Sequence, residues 1–231
     1  MSRSAAGRRL LLVGHGRMGR QVEALSADAG FEIAGIVNRA SAAHPDSWPD
    51  ADVAVDFSVA DAVPANTRSL AERGVSIVLG TTGWQASEAG LRAIVEQHRI
   101  GIVAAPNFAL GVNIFLALAE RAGALMAQRA DFGGWIHELH HAAKRDAPSG
   151  TALALQAALE RAGYTRSIDM ASTRAGAIPG THTIGFDALS ETITLTHTAR
   201  DRSVFARGAL EAARWIHGRK GWFTMRDVIG V

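Results

Sequence analysis

A chain of 231 residues has room for one large domain or two small ones. Apolar residues make up 48%, enough for a well-buried core, and with no cysteine the chain can form neither disulfides nor thiolate metal sites, which fits a reducing compartment. The net charge is only +2 and the basic residues are scattered, with no basic run interleaved with aromatics, so no nucleic-acid surface is expected. The opening segment Met1–Arg9 is basic, but the apolar run after it, Leu10 to Val13, is too short for a signal peptide or a membrane span. The expectation is a soluble, cytoplasmic protein with no membrane contact.

In chain order, residues 9–13 predict a buried strand, 14–19 a glycine turn, and 20–29 a helix with Val22, Leu25 and Ala29 on one face, ended by Gly30. Further strands are expected at 32–37, 53–57, 75–79 and 100–105, with helices at 60–73 and 87–98 between them. Apolar runs alternating with helical stretches imply a parallel sheet covered on both faces. The pattern changes after Pro106. A long helix is expected at 111–129, a strand at 134–140, a loop at 142–147 and a helix at 149–162. Strands at 168–173, 181–187 and 191–199, a helix at 204–217 and a tail ending in the apolar Val228-Ile229 complete the chain. This second part reads as helix plus antiparallel sheet, with a domain boundary near 107. The fold class is therefore α/β: a Rossmann-type dinucleotide-binding domain followed by a smaller α+β domain.

Gly14-His15-Gly16-Arg17-Met18-Gly19 lies between a predicted strand and a predicted helix, the context a dinucleotide fingerprint requires. The first glycine permits the turn, the second lets backbone approach a pyrophosphate, and the third lets helix and strand pack closely. An ordinary glycine turn is the plain alternative. At the end of the second strand, where NAD binders carry a carboxylate for the ribose hydroxyl, stand Asn38 and Arg39. Asparagine does not repel a 2′-phosphate, and Arg39, with Arg17, can pair with one. NADPH is the expected cofactor, with NADH tolerated, unless Arg39 is merely a solvated loop residue. Gly80-Thr81-Thr82-Gly83 and Ala105-Pro106-Asn107-Phe108 follow the fourth and fifth strands, at the sheet edge where ligands bind; both could equally be plain turns.

Residues 138–151 read Glu-Leu-His-His-Ala-Ala-Lys-Arg-Asp-Ala-Pro-Ser-Gly-Thr. Of the 24 basic residues only Lys144 and Lys220 are lysines, so Lys144 stands where arginine is otherwise preferred, and lysine can give up a proton. His140 and His141 can exchange protons near neutral pH. Ser149, Gly150 and Thr151 start a helix, and their amides and hydroxyls should point outward as an anion site suited to a carboxylate. A zinc site is not expected, because the histidines lack helical pair spacing and there is no cysteine. A polar loop leading into a capped helix is the plain alternative.

Taken with these motifs, the chain resembles the 4-hydroxy-tetrahydrodipicolinate (dihydrodipicolinate) reductase family. The resemblance rests on Glu138-x-His140-His141-x-x-Lys144-x-Asp146-Ala-Pro-Ser149-Gly150-Thr151, Gly16-Arg17-Met18-Gly19-Arg20, Gly80-Thr81-Thr82-Gly83 and Asn107-Phe108-x-x-Gly111-Val-Asn113. Pro179-Gly180-x-His182 and Arg202-x-x-Phe205-Ala206-x-Gly208-Ala209 extend it to nearly the whole chain.

The resemblance implies NAD(P)H-dependent reduction of a cyclic dicarboxylate in the diaminopimelate route to lysine. It implies a dinucleotide-binding domain of residues 1–107 and 202–231, and a substrate and tetramerisation domain of residues 108–201. His140 and Lys144 would handle the proton, and His141, Lys144, Ser149, Gly150 and Thr151 would hold substrate. Gly14, Gly16, Arg17, Met18, Gly19, Asn38, Arg39, Gly80, Thr81, Thr82, Ala105, Pro106, Asn107 and Phe108 would line the cofactor. Ala142 and Ala143 depart from the basic residues common in the family, as does Thr181 from a usual Glu. An aspartate-type amino-acid dehydrogenase of similar build and a non-catalytic dinucleotide sensor remain alternatives.

Overall fold

The computed structural model describes residues 8–231, and these form two compact units: residues 8–110 with 203–231, and residues 111–202. The basic opening of the chain, apart from Arg8 and Arg9, lies outside the described residues.

The first unit is a six-stranded sheet in which every pair is parallel. Its strands are β1 (Arg8–Val13), β2 (Phe31–Val37), β3 (Val53–Asp56), β4 (Ser76–Leu79), β5 (Gly101–Ala104) and β10 (Gly221–Phe223), in the order β10-β5-β4-β3-β1-β2. Successive strand residues point to opposite faces, so one sheet feeds two cores. Leu10, Leu12, Val53, Val55, Val78 and Val103 pack with α1 (Arg17–Ser26) and α6 (Ser203–Ile216). Leu11, Val13, Ala54, Ile77, Leu79 and Ile102 pack with α2 (Val63–Glu72) and α3 (Glu88–His98). Continuous apolar runs are what such doubly covered strands require.

Apart from shifts of one to three residues at element ends, this unit departs from the sequence reading at α1 and at the end of the chain. The first helix begins at Arg17 rather than at 20, so the last glycine of the motif sits inside its first turn. Residues 218–231, to which the sequence reading gave no element, carry two. Gly221–Phe223 pairs with β5 as the sixth strand, and Met225–Ile229 is a short helix, α7, opened by a Thr224/Asp227 capping box. A three-residue edge strand offers too few positions for an alternating pattern to register.

The second unit has a four-stranded sheet of β6 (Gly133–His140), β7 (Ile168–Arg174), β8 (Gly180–Asp187) and β9 (Thr192–Ala199), ordered β7-β6-β8-β9. The helices α4 (Leu110–Met126) and α5 (Gly150–Arg161) supply Phe115, Ala119, Leu155 and Leu159 to a core with Ile136, Ile184, Phe186 and Tyr164. The sheet is mixed, not antiparallel as read from the sequence: β6 and β7 are parallel, while β8 pairs antiparallel to β6 and β9. The cause is α5, a helical crossover that returns the chain to run in its original direction. No helix among the described residues is long and apolar enough to cross a membrane.

Candidate functional site

In the first unit, the loop between β1 and α1 is shaped by its glycines. Gly14 adopts φ +90°, and a Cβ on it would lie 2.5 Å from the Phe57 carbonyl oxygen. A Cβ on Gly19 would overlap the Gly14 carbonyl, so α1 can start this close to β1 only with glycine there. Gly16 differs: a Cβ there would meet nothing within 4 Å. It occupies the N-cap of α1 with no capping side chain, and the first turn holds no acidic residue. The leading amides of α1 are thus uncapped beside open space, which fits an approaching pyrophosphate. Arg17 is exposed in the same turn and Met18 is partly buried.

Other expected cofactor residues surround this loop with unequal roles. Asn38 accepts the amides of Ala40 (2.9 Å) and Ser41 (3.2 Å) with its Oδ1, fixing the turn that carries the exposed Arg39. Thr81 is buried and its hydroxyl donates to Asp56 Oδ1 at 2.9 Å, whereas Thr82 is exposed. Gly80 packs against the Phe57 ring. Asn107 accepts the Ala109 amide at 2.9 Å, Ala105 is buried and Pro106 is exposed. The side chain of Phe108 is a core residue, 2% exposed and edge-on to Phe57, so it has no free face for a ligand. The sequence reading did not single out Asp56. Its buried carboxylate accepts from Ser58 N (2.8 Å), Asn66 Nδ2 (3.0 Å) and Thr81 Oγ1, joining the loops after β3 and β4. An acidic residue inside the apolar run Val53–Phe57 was the available signal.

In the second unit, chemistry gathers at the end of β6. Glu138 and His140 are two residues apart and so share a face. Register places His182 of β8 opposite Glu138 and Arg174 of β7 opposite His140. Glu138 is fully buried. Its Oε2 lies 2.5 Å from His140 Nδ1, and its Oε1 accepts from Arg174 Nη2 (2.5 Å) and the Ser149 amide (3.2 Å). Arg174 Nη2 also donates to the Asp146 carbonyl at 2.7 Å. Ser149 N-caps α5, accepting from Ala152 N at 3.2 Å, and pairs with His182 Nε2 at 2.9 Å.

Burial alone would raise the Glu138 carboxyl, but hydrogen bonds from Arg174 and Ser172 and the nearby His140 hold it at about 2. Burial lowers His140 below its ordinary 6.5; Glu138 opposes this and Lys144 adds to it. Burial likewise pushes His182 down to about 4, so it is neutral at physiological pH.

His140 and Ser149 are therefore joined through one carboxylate, with Lys144 close enough to act on His140 electrostatically. Lys144 Nζ is paired with Asp146 at 2.8 Å, a partner the sequence reading did not foresee. His141 gives its carbonyl to the Lys144 amide in the turn after β6 and stands outside the Glu138 network. Gly150 is exposed and Thr151 partly buried in the first turn of α5, which carries no acidic residue, so they remain suited to an anion. The hydroxyl of Ser149 does not point outward as expected. It is 2% exposed and turned inward as the cap, because an uncapped helix start beside a buried carboxylate would leave amides unsatisfied. Arg174 and His182 were given no role from sequence; they lie 36 and 44 positions after Glu138, and only strand register brings them to it. Glu138, His140 and His182 could together face a metal ion, but the Arg174 cation already occupies Glu138 Oε1 and disfavours one.

Comparison with known proteins gives one answer along the chain. The model described as dihydrodipicolinate reductase, N-terminus, matches residues 8–108, and the C-terminus model matches residues 111–229. A 4-hydroxy-tetrahydrodipicolinate reductase of Christiangramia forsetii is 34% identical over 231 residues, covering 95% of this chain and 97% of its own. One from Rhodopseudomonas palustris is 40% identical over 234 residues, covering 90% and 84%. The solved dipicolinate-bound dihydrodipicolinate reductase of Paenisporosarcina sp. superposes with a TM-score of 0.79 at 20% identity, covering 94% of this chain and 97% of that one.

Proposed function

The chain belongs to the dihydrodipicolinate reductase family, and from that premise we propose how its residues carry out the reduction of 4-hydroxy-tetrahydrodipicolinate to tetrahydrodipicolinate in lysine biosynthesis. The observation that carries the reading is the buried Glu138, which ties His140 to the start of α5 beside Lys144. Such a site offers a proton and an anion pocket together, as reduction of a cyclic imine with two carboxylates demands.

A nicotinamide dinucleotide, when bound, supplies the hydride. The uncapped amides at Gly16–Gly19 would hold its pyrophosphate, and Thr82, Pro106 and Asn107 would line the rest of it. Arg39, with Arg17, pairs with a 2′-phosphate, so NADPH is preferred and NADH tolerated. Gly150, Thr151 and Lys144 hold a substrate carboxylate, with His141 beside them. Lys144 exchanges Asp146 for that carboxylate at little cost, because Asp146 is largely exposed and such pairs contribute about 0–1 kcal/mol. Loss of the 4-hydroxyl as water leaves a conjugated ring, and hydride addition to it leaves an electron pair that must take a proton at carbon. His140, as the imidazolium, donates that proton from Nε2 and becomes neutral. Residues 108–201 form the substrate domain and, through their sheet, a homotetramer. A cytoplasmic location follows from the pathway and the reductant.

A coupled assay tests this. A dihydrodipicolinate synthase generates the unstable substrate in place, and oxidation of NADPH and NADH is followed separately. Substrate-dependent oxidation is expected with both, faster with NADPH at low cofactor concentration. Arg39→Ala should raise KM for NADPH roughly 10-fold, the loss of one charge-assisted contact, and leave NADH unchanged. No oxidation in a protein that binds NADPH would sink the assigned reaction; equal effects on both cofactors would sink the role of Arg39.

A further inference from the structure

We propose that Glu138 is the positioning residue for His140: its carboxylate fixes the imidazole proton on Nδ1, so Nε2 is the nitrogen that works on substrate, and Arg174 keeps that carboxylate charged. The inference rests on His140 being the proton donor.

The geometry is specific. Glu138 Oε2 and His140 Nδ1 lie 2.5 Å apart as an ion pair, and neither atom makes a hydrogen bond of regular geometry to any group among the described residues. A carboxylate can only accept here, so the shared proton belongs to Nδ1. The second oxygen is engaged by Arg174, which cannot lose its proton, and by the Ser149 amide, which cannot either. Glu138 therefore has no route to neutrality except taking the proton from His140, and the guanidinium opposes that. The value of about 2 for its carboxyl agrees. The other side of the ring is kept clear: a Cβ at residue 180 would lie 3.1 Å from Nε2, and residue 180 is glycine. His182 stacks edge-on to the ring at 5.0 Å between centroids, which limits its tilt. The same carboxylate accepts from the cap of α5, so the proton donor and the carboxylate-binding helix start share one anchor.

The charged and titratable groups facing His140 are Glu138 on its own strand, Lys144 in the following loop, Arg174 on β7 and His182 on β8. Of these only Glu138 favours the imidazolium. Replacing it by glutamine has a definite consequence. Arg174, the Ser149 amide and His140 converge on Glu138, to which Ser172 also donates, and an amide can accept on one side alone. Since Arg174 and the Ser149 amide always donate, the amide oxygen of Glu138→Gln turns to them and its NH2 faces His140. Nδ1 must then accept, the neutral ring carries its proton on Nε2, and the imidazolium, which donates from both nitrogens, is disfavoured.

Nitrogen-15 imidazole spectra across pH test this without turnover. The wild type is expected to show neutral His140 protonated on Nδ1. Glu138→Gln should show it protonated on Nε2, with a lower pKa. In the coupled assay the variant should lose roughly 10²-fold in kcat, the scale of a misplaced general acid, with KM changed far less. Activity that needs the imidazolium falls as pH rises through its pKa, so this limb should move to lower pH. A wild-type ring protonated on Nε2 would overturn the proposal even if Glu138→Gln failed to fold, as would an unchanged tautomer and pH profile in the variant. His140→Gln separates the two readings: full turnover there removes the proton from His140, whereas the tautomer result alone decides what Glu138 does to the ring.

Discussion

The dinucleotide loop of the first unit and the His/Lys segment of the second both suit anions, yet they are specified differently. In the loop nearly everything is done by backbone, with glycines letting β1 and α1 approach until the amides of the helix start are exposed. In the segment the helix start is similar, but side chains set the chemistry, and their partners come from other strands. A backbone-built site should be sensitive to volume and indifferent to pH. A side-chain-built site should show the reverse.

The largest effect should come from volume. Gly19→Ala places a methyl on the Gly14 carbonyl, so helix and strand must part. Strain of this kind costs about 3 kcal/mol or more. The Tm should fall, and affinity for NADPH, read by fluorescence titration, should drop about 100-fold or more. Gly16→Ala sharpens the test, because its methyl meets no protein atom. Its Tm should change little, the loss being that of a poorer N-cap, while affinity still falls roughly 10-fold. Wild-type affinity in Gly16→Ala would mean that no phosphate approaches this backbone.

That contrast also explains what could be read from the sequence. Glycine spacing is local, so Gly14, Gly16 and Gly19 marked the loop directly, and the apolar runs of β1 to β5 marked a doubly covered sheet. His140, Lys144 and the start of α5 were legible because they are adjacent along the chain. Arg174 and His182 were not, since the mixed order β7-β6-β8 that brings them to Glu138 depends on the crossover through α5. Ser149 was recognised as a helix start, but whether its hydroxyl faces solvent or core is decided by His182. β10 escaped because three residues carry no period.

Acid should come next in size and should act on the second unit. His182 is neutral in the fold, at about 4 against 6.5 unfolded, so between these values the unfolded chain binds the extra proton. Stability from His182 is complete above about 6.5 and is lost as pH falls towards 4, a contribution on the order of 3 kcal/mol. Glu138, at about 2 against 4.5, acts in the same direction between 4.5 and 2. Burial also lowers His140 and His197, and all four residues lie within 111–202. Amide exchange at pH 5, corrected for its intrinsic rate, should therefore quicken in β6 and β8 relative to pH 7 and stay unchanged in β1, β3 and β4. Equal loss of protection in both sheets would break the comparison, since it would mean that the buried histidines do not set where acid acts.

The smallest effect should be that of Lys144→Arg, because it asks only whether lysine is needed as more than a charge. Arg keeps the positive charge and can still pair with Asp146 or a carboxylate, but it cannot supply a proton at neutral pH, and its planar fork differs in reach from an ammonium. If His140 is the donor and Lys144 a carboxylate holder, the variant loses geometry alone: KM should rise and kcat should fall by no more than about 10-fold, compared with about 10²-fold or more for loss of a general acid. The same coupled assay reads both constants. A collapse of kcat with KM unchanged would move the proton to Lys144, leaving His140 and its buried carboxylate to orient the substrate instead. In that event the preference for lysine at 144, in a chain otherwise rich in arginine, would be explained by its capacity to lose a proton.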